Sequence, residues 1–92
     1  MRTVLKSFSH KHHQGREVDF VFREGLPVKQ LIQVTNASIR EEVQKREITG
    51  LLRADEEFEC GNLLVITWEF EGKEMIDGKT IVYKPLWKWL LE

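Results

Sequence analysis

The sequence predicts an α/β fold of the α+β kind. It comprises a mixed sheet of four to five strands, made of an antiparallel meander plus a parallel βαβ strand, with one long helix on the sheet and a short C-terminal helix. Three observations predict it. Residues 17–24 and 28–35 are strand-forming runs joined by the short loop Gly25-Leu26-Pro27. A helical pattern opens at Ser38-Ile39-Arg40-Glu41. Residues 62–69 then read NLLVITWE, whose LLVIT is continuously apolar, as in a strand covered on both faces.

The elements follow in order. LKSFSHKH at 5–12 alternates weakly and reads as a first strand, turning at Gly15. The second and third strands are 17–24 and 28–35. The helix is expected over 39–59, with Ser38 and Glu41 as a capping box. Ile39, Val43, Ile48, Leu51, Leu52 and Phe58 fall near one helical face. Glu41 with Lys45 and Glu42 with Arg46 have the i,i+4 spacing of stabilising pairs. Gly50 costs a helix about 1 kcal/mol relative to Ala, which close packing would explain. Gly61 ends the helix. Strand, helix and strand at this spacing make a βαβ unit, so 28–35 and 62–69 should run parallel. EGKEMIDG is expected as a polar hairpin turning at Asp77-Gly78, KTIVY at 79–83 as an edge strand, and Pro85 as the start of the helix LWKWLL.

Ninety-two residues suit a single domain, and an apolar fraction of 41% is enough for one core. The net charge of −1 argues against a general polyanion binder, although residues 1–16 carry Arg2, Lys6, Lys11 and Arg16, three histidines and no acid. The single cysteine, Cys60, excludes an internal disulfide and, with no signal-peptide pattern, points to a cytoplasmic setting. The apolar runs are too short to span a bilayer.

The strand VDFVF carries Asp19, and its neighbour LIQV carries Gln33. A buried carboxylate is costly unless it is paired, hydrogen-bonded or metal-bound. With a three-residue loop at 25–27, Asp19 faces Gln33 and Glu17 faces Thr35. Val18, Phe20, Phe22, Ile32 and Val34 then share the apolar face, the expected seat of the long helix. Glu17, Asp19, Val21, Leu31, Gln33 and Thr35 share the other, which is either simply solvated or a site.

GREVDFVF, LIQV, the capped helix with KREI, NLLVITWEFEG and the closing PLWKWLL together resemble the C-terminal domain of a family of archaeal AAA-type ATPases. That domain is similar to the PD-(D/E)xK nuclease-like superfamily, with its restriction-endonuclease-like core. The resemblance covers about residues 8–91 and implies that 1–92 is one nuclease-like domain of a longer ATPase, with ATP bound by an upstream domain. It places the superfamily's first acid on Asp19 and its (D/E)-x-K on Gln33-Val34-Thr35. Two carboxylates in such sites hold Mg²⁺, and a lysine assists at the phosphate. Gln33 lacks the charge and Thr35 the cation, so the resemblance implies a degenerate catalytic site at Asp19, Gln33 and Thr35. Mg²⁺, if bound, would be held by Asp19 with Glu17 as a substitute ligand. The expected role is a non-catalytic accessory domain contacting nucleic acid or a partner protein. An active metal-dependent nuclease with a rearranged site and a purely structural or oligomerisation domain stay open as alternatives.

Three other signals are weaker. GKEMIDGKT at 72–80 mimics a phosphate-binding P-loop, but five residues separate Gly72 from Gly78, and a strand follows where a helix is needed. His10 and His12 share a strand face, a start towards a zinc site with no second pair to complete it. Trp87 and Trp89, among Leu86, Leu90 and Leu91, either dock the last helix on the sheet or form a surface for a partner or for self-association.

Overall fold

The computed structural model describes residues 18–23, 25 and 27–92. The expected strand at 5–12, the three histidines and Glu17 lie outside the described residues. The fold is α+β. Strands β1 (Phe20–Arg23), β2 (Val28–Val34), β3 (Leu63–Thr67), β4 (Gly72–Ile76) and β5 (Lys79–Pro85) form one sheet in the order β1-β2-β3-β5-β4. The helices are α1 (Lys45–Phe58) and α2 (Leu86–Leu91).

β1 and β2 are antiparallel, and Phe20 pairs with Ile32, Val21 with Leu31 and Phe22 with Gln30. This register continues to Asp19 opposite Gln33, but not through the expected three-residue loop: β1 ends at Arg23 and β2 starts at Val28, and a bulge restores the alignment that the longer connection would have shifted. The ladder slips by one residue at Arg23, which meets Val28 through a bulge. β2 and β3 are parallel, as the βαβ reading requires. All five residues of β3 are buried, so LLVIT is the central strand that its unbroken apolarity predicts.

Two expectations about the C-terminal half are corrected. KTIVY is not an edge strand: β5 lies inside the sheet, parallel to β3 and antiparallel to β4. The edge is β4, drawn from the stretch expected to be only a polar hairpin. Its alternation of exposed Lys73 and Met75 with half-buried Glu74 and Ile76 suits a strand with one covered face. Asp77 and Gly78 form the turn, both at positive φ (52° and 77°), which a two-residue hairpin needs.

The long helix is shorter than 39–59. Arg40–Glu42 form a single 3₁₀ turn, Val43 is extended, and α1 begins at Lys45 behind Gln44. The capping box is Gln44 with Glu47, not Ser38 with Glu41. The break has a packing reason. Val43 is buried in the core while Ile39 is half exposed (52%), so the two cannot share one helical face. It also places Glu41 and Glu42 outside the helix of Lys45 and Arg46, which removes the expected i,i+4 pairs. At the other end α1 stops at Phe58, Glu59 is left-handed (φ 55°), and Asp55 accepts from the N–H groups of Cys60 (3.1 Å) and Gly61 (2.7 Å).

The seat of α1 is corrected too. It packs on the face of Val21, Leu31, Leu63, Val65, Ile81 and Tyr83, through Ile48, Leu51 and Ala54. The face of Ile32, Leu64 and Ile66 is covered by α2 through Leu86 and Trp89. The β1–β2 pair alone suggested the opposite. Across the whole sheet, the first face offers the longer apolar layer, and a 14-residue helix matches it where six-residue α2 cannot. Val18 joins the α1 core despite the alternation, because the chain bends at Asp19 before β1 starts. No helix among the described residues is long and apolar enough to cross a membrane.

Candidate functional site

Asp19 stands at the bend that opens β1, and Gln33 near the end of β2. The Asp19 N–H donates to Gln33 Oε1 at 2.9 Å. The Asp19 carboxylate, through Oδ2, accepts from the Val34 N–H at 2.8 Å. Gln33 Nε2 donates to the backbone carbonyl of Glu47 at 3.0 Å, in the first turn of α1. Gln33 is buried (4% exposed), yet both ends of its amide are satisfied. The pair therefore ties three segments together. Asp19 takes the N–H that β2 offers beyond the end of β1, and Gln33 anchors the start of α1 to the sheet.

The two side chains are cross-strand companions, as expected. They do not lie on the side away from the long helix, because Gln33 points to α1 itself. Thr35 is not brought into the same concavity. It borders a second hollow of about 220 Å³ with Val34, Asn36, Ile66, Thr67, Trp68 and Leu86, and its hydroxyl meets the Ala37 N–H at 3.4 Å.

The concavity beside Asp19 and Gln33, about 170 Å³, is completed by Val34, Arg46 and Glu47. The sequence pattern gave Arg46 only an i,i+4 pairing with Glu42 and gave Glu47 no role. Their signal was their place in the first turn after the capping residue, the end of α1 nearest β2. Glu47 is partly used already, since its Oε1 accepts from the Gln44 N–H at 3.3 Å. Among the described residues no group of three or more His, Cys, Asp and Glu is gathered as a metal cage would be. Gln33 Oε1 and Asp19 Oδ2 each accept a backbone N–H, which uses part of their acceptor capacity in the fold itself.

A second polar cluster joins the edge strand to the 3₁₀ turn. Arg40 grips Glu74 with two hydrogen bonds, Nε to Oε1 and Nη2 to Oε2, and the Tyr83 hydroxyl donates to Glu74 Oε1 at 3.1 Å. The Arg40 guanidinium stands 5.5 Å from the centre of the Tyr83 ring. The hydrogen bond from Arg40 holds Glu74 below the usual carboxylate range. Burial pushes the Tyr83 hydroxyl up to about 12; Arg40 opposes the rise and Glu74 adds to it. Paired ions and a 1%-exposed tyrosine fasten the edge strand to the 3₁₀ turn.

The aromatic helix divides its two tryptophans. Trp89 packs against Ile32, Leu64 and Ile66, so it docks α2 on the sheet. Trp87 is exposed (55%), and with Trp68, Leu86 and Leu90 it lines a hollow of about 210 Å³ that is almost wholly apolar.

Comparison with protein-family models, with curated proteins and with solved structures finds no match to this chain.

Proposed function

We propose that this chain is a non-catalytic, nuclease-like accessory domain of a larger ATPase that works by contacting a partner protein. The observation that carries the first half is the use made of Asp19 and Gln33. Both side chains hold backbone together: Asp19 takes the Val34 N–H of β2, and Gln33 bridges the Asp19 N–H and the first turn of α1. The resemblance of GREVDFVF and PLWKWLL to the archaeal ATPase domain supports the setting, as does the run of an antiparallel pair, helix and parallel strand.

The partner is read from the surface. Trp68, Trp87 and Leu90 are large, exposed and adjoin one apolar hollow, the composition of a protein contact rather than of a phosphate-binding groove. Nucleic acid is the competing partner, and salt separates the two, because phosphate contacts weaken steeply as salt rises.

The test is a cleavage assay on single- and double-stranded DNA and RNA with Mg²⁺ or Mn²⁺. The reading expects no cutting by the wild type, and none gained by Gln33→Glu with Thr35→Lys. Metal-dependent cutting that Asp19→Ala abolishes would overturn it. Tight, salt-sensitive DNA binding unaffected by Trp87→Ser would transfer the contact role to nucleic acid.

A further inference from the structure

The outer edge of β4 is paired with no strand among the described residues, and its chemistry specifies what fits it. Asp77-Gly78 is a two-residue turn with both φ positive, so Ile76 and Lys79 form the hydrogen-bonded pair next to it. Counting back by two, Ile76, Glu74 and Gly72 turn their N–H and C=O groups towards β5. Lys73 and Met75 turn theirs outward. The edge thus offers two donors and two acceptors in register for an antiparallel strand.

From this geometry we infer that the partner strand is β4 of a second copy, paired antiparallel about a two-fold axis through Glu74. In this register Lys73 faces Met75 of the other copy, and Met75 faces its Lys73. All four outward groups are satisfied in each copy by backbone hydrogen bonds, and the two five-stranded sheets become one. The side chains fit this symmetry. Met75 is 69% exposed and gains the aliphatic stem of the opposing Lys73. The Lys73 ammonium comes within diagonal reach of the exposed Asp77 of the other copy, so the symmetric pair contains two opposite-charge contacts. Glu74 faces its own counterpart, but each is already gripped by Arg40, which removes the like-charge penalty. A lysine on an open edge ordinarily deters pairing. Here it deters strands that lack an acid two residues beyond the apolar contact, and this chain supplies one in Asp77.

The experiment is sedimentation over a range of concentrations, together with amide exchange at Lys73 and Met75. The wild type is expected to dimerise, with both amides becoming protected as concentration rises. Met75→Pro deletes an outward N–H while sparing the β5 ladder, and is expected to run as a monomer. Lys73→Asp, at an exposed position that cannot disturb the core, is expected to do the same. Trp87→Ser should leave the dimer intact, which keeps this result separate from the partner surface on α2. A wild type that stays monomeric at every concentration would overturn the inference, as would a dimer that survives Lys73→Asp. Amides protected independently of concentration would also overturn it, by showing the edge covered within one chain.

Discussion

Asp19 and Gln33 are bound through each other's strand: Gln33 Oε1 takes the Asp19 N–H, and the Asp19 carboxylate takes the N–H of Val34, the residue after Gln33. Neither contact could be made if the register of β1 on β2 slipped by one residue, since the two side chains would then turn to opposite faces. The pair is thus a register lock. Asp19→Ala leaves the Val34 N–H without its charged acceptor and should cost about 1–3 kcal/mol in denaturant unfolding. Asp19→Asn keeps an acceptor and should cost less.

Gln33→Glu provides a pH signature. The amide donates to the Glu47 carbonyl, and an ionised carboxylate has no proton to donate. The introduced acid is therefore favoured in its protonated form in the fold, so its pKa rises. Its destabilisation should be largest at neutral pH and shrink as pH falls towards the range where an ordinary glutamate protonates. Stability of variant and wild type measured by denaturant from acid to neutral pH checks this. A pH-independent difference would contradict it.

Asp55 predicts the opposite sign. Burial disfavours its charge, but the Gly61 N–H, Lys79 (Nζ to Oδ2 3.1 Å) and the Cys60 N–H outweigh that and hold its pKa below the usual 3.8. A carboxylate with a depressed folded-state pKa stabilises the fold above its unfolded pKa, and this is lost as pH falls through the folded value. Asp55→Asn should therefore cost about 1–3 kcal/mol at neutral pH, with the gap to the wild type closing only below about pH 4. Chemical denaturation of both proteins between pH 2 and pH 7 measures it.

Tyr83 is the only tyrosine, so its ionisation can be followed by ultraviolet absorbance without interference from another. It should titrate near 12 while the protein stays folded. Glu74→Gln removes a charge that raises this value and leaves the opposing Arg40, so the transition should move to lower pH. An unmoved transition would show that Glu74 does not face the hydroxyl.

The two tryptophans of α2 should differ sharply. Trp89→Ala empties a contact with Ile32, Leu64 and Ile66 and should cost about 2–4 kcal/mol. Trp87→Ser touches an exposed position and should change stability by less than about 0.5 kcal/mol. Equal effects in thermal or denaturant unfolding would mean that both dock.

Much of this architecture was legible in the sequence because it depends on local signals. The unbroken LLVIT located the central strand, Asp77-Gly78 the turn between β4 and β5, and Pro85 the start of α2, whereas the opposition of Asp19 to Gln33, expected from a three-residue loop, is set by the bulge at Arg23 and Val28. The misreadings are all non-local. Which face α1 covers depends on Leu63, Val65, Ile81 and Tyr83, which lie outside the two strands that suggested the answer. The helix start was misjudged because Ser38 and Glu41 have the spacing of a capping box, while burial of Val43 breaks the helix after one 3₁₀ turn. β4 was hidden by its charges, since Glu74 is acceptable there only because Arg40 and Tyr83 meet it from distant segments. The polar pair at 19 and 33 was visible, but its partners Val34 and Glu47 are backbone groups, which no side-chain pattern reveals.

Amide hydrogen exchange at Val34 and Asp19 distinguishes a register lock from a metal site. Slow exchange is expected at both in the wild type, with loss of protection at Val34 in Asp19→Ala and at Asp19 in Gln33→Ala, and no response of either to Mg²⁺. Unchanged exchange at both amides in the two variants, with rates that shift when Mg²⁺ is added to the wild type, would mean that these side chains serve a metal site and not the backbone.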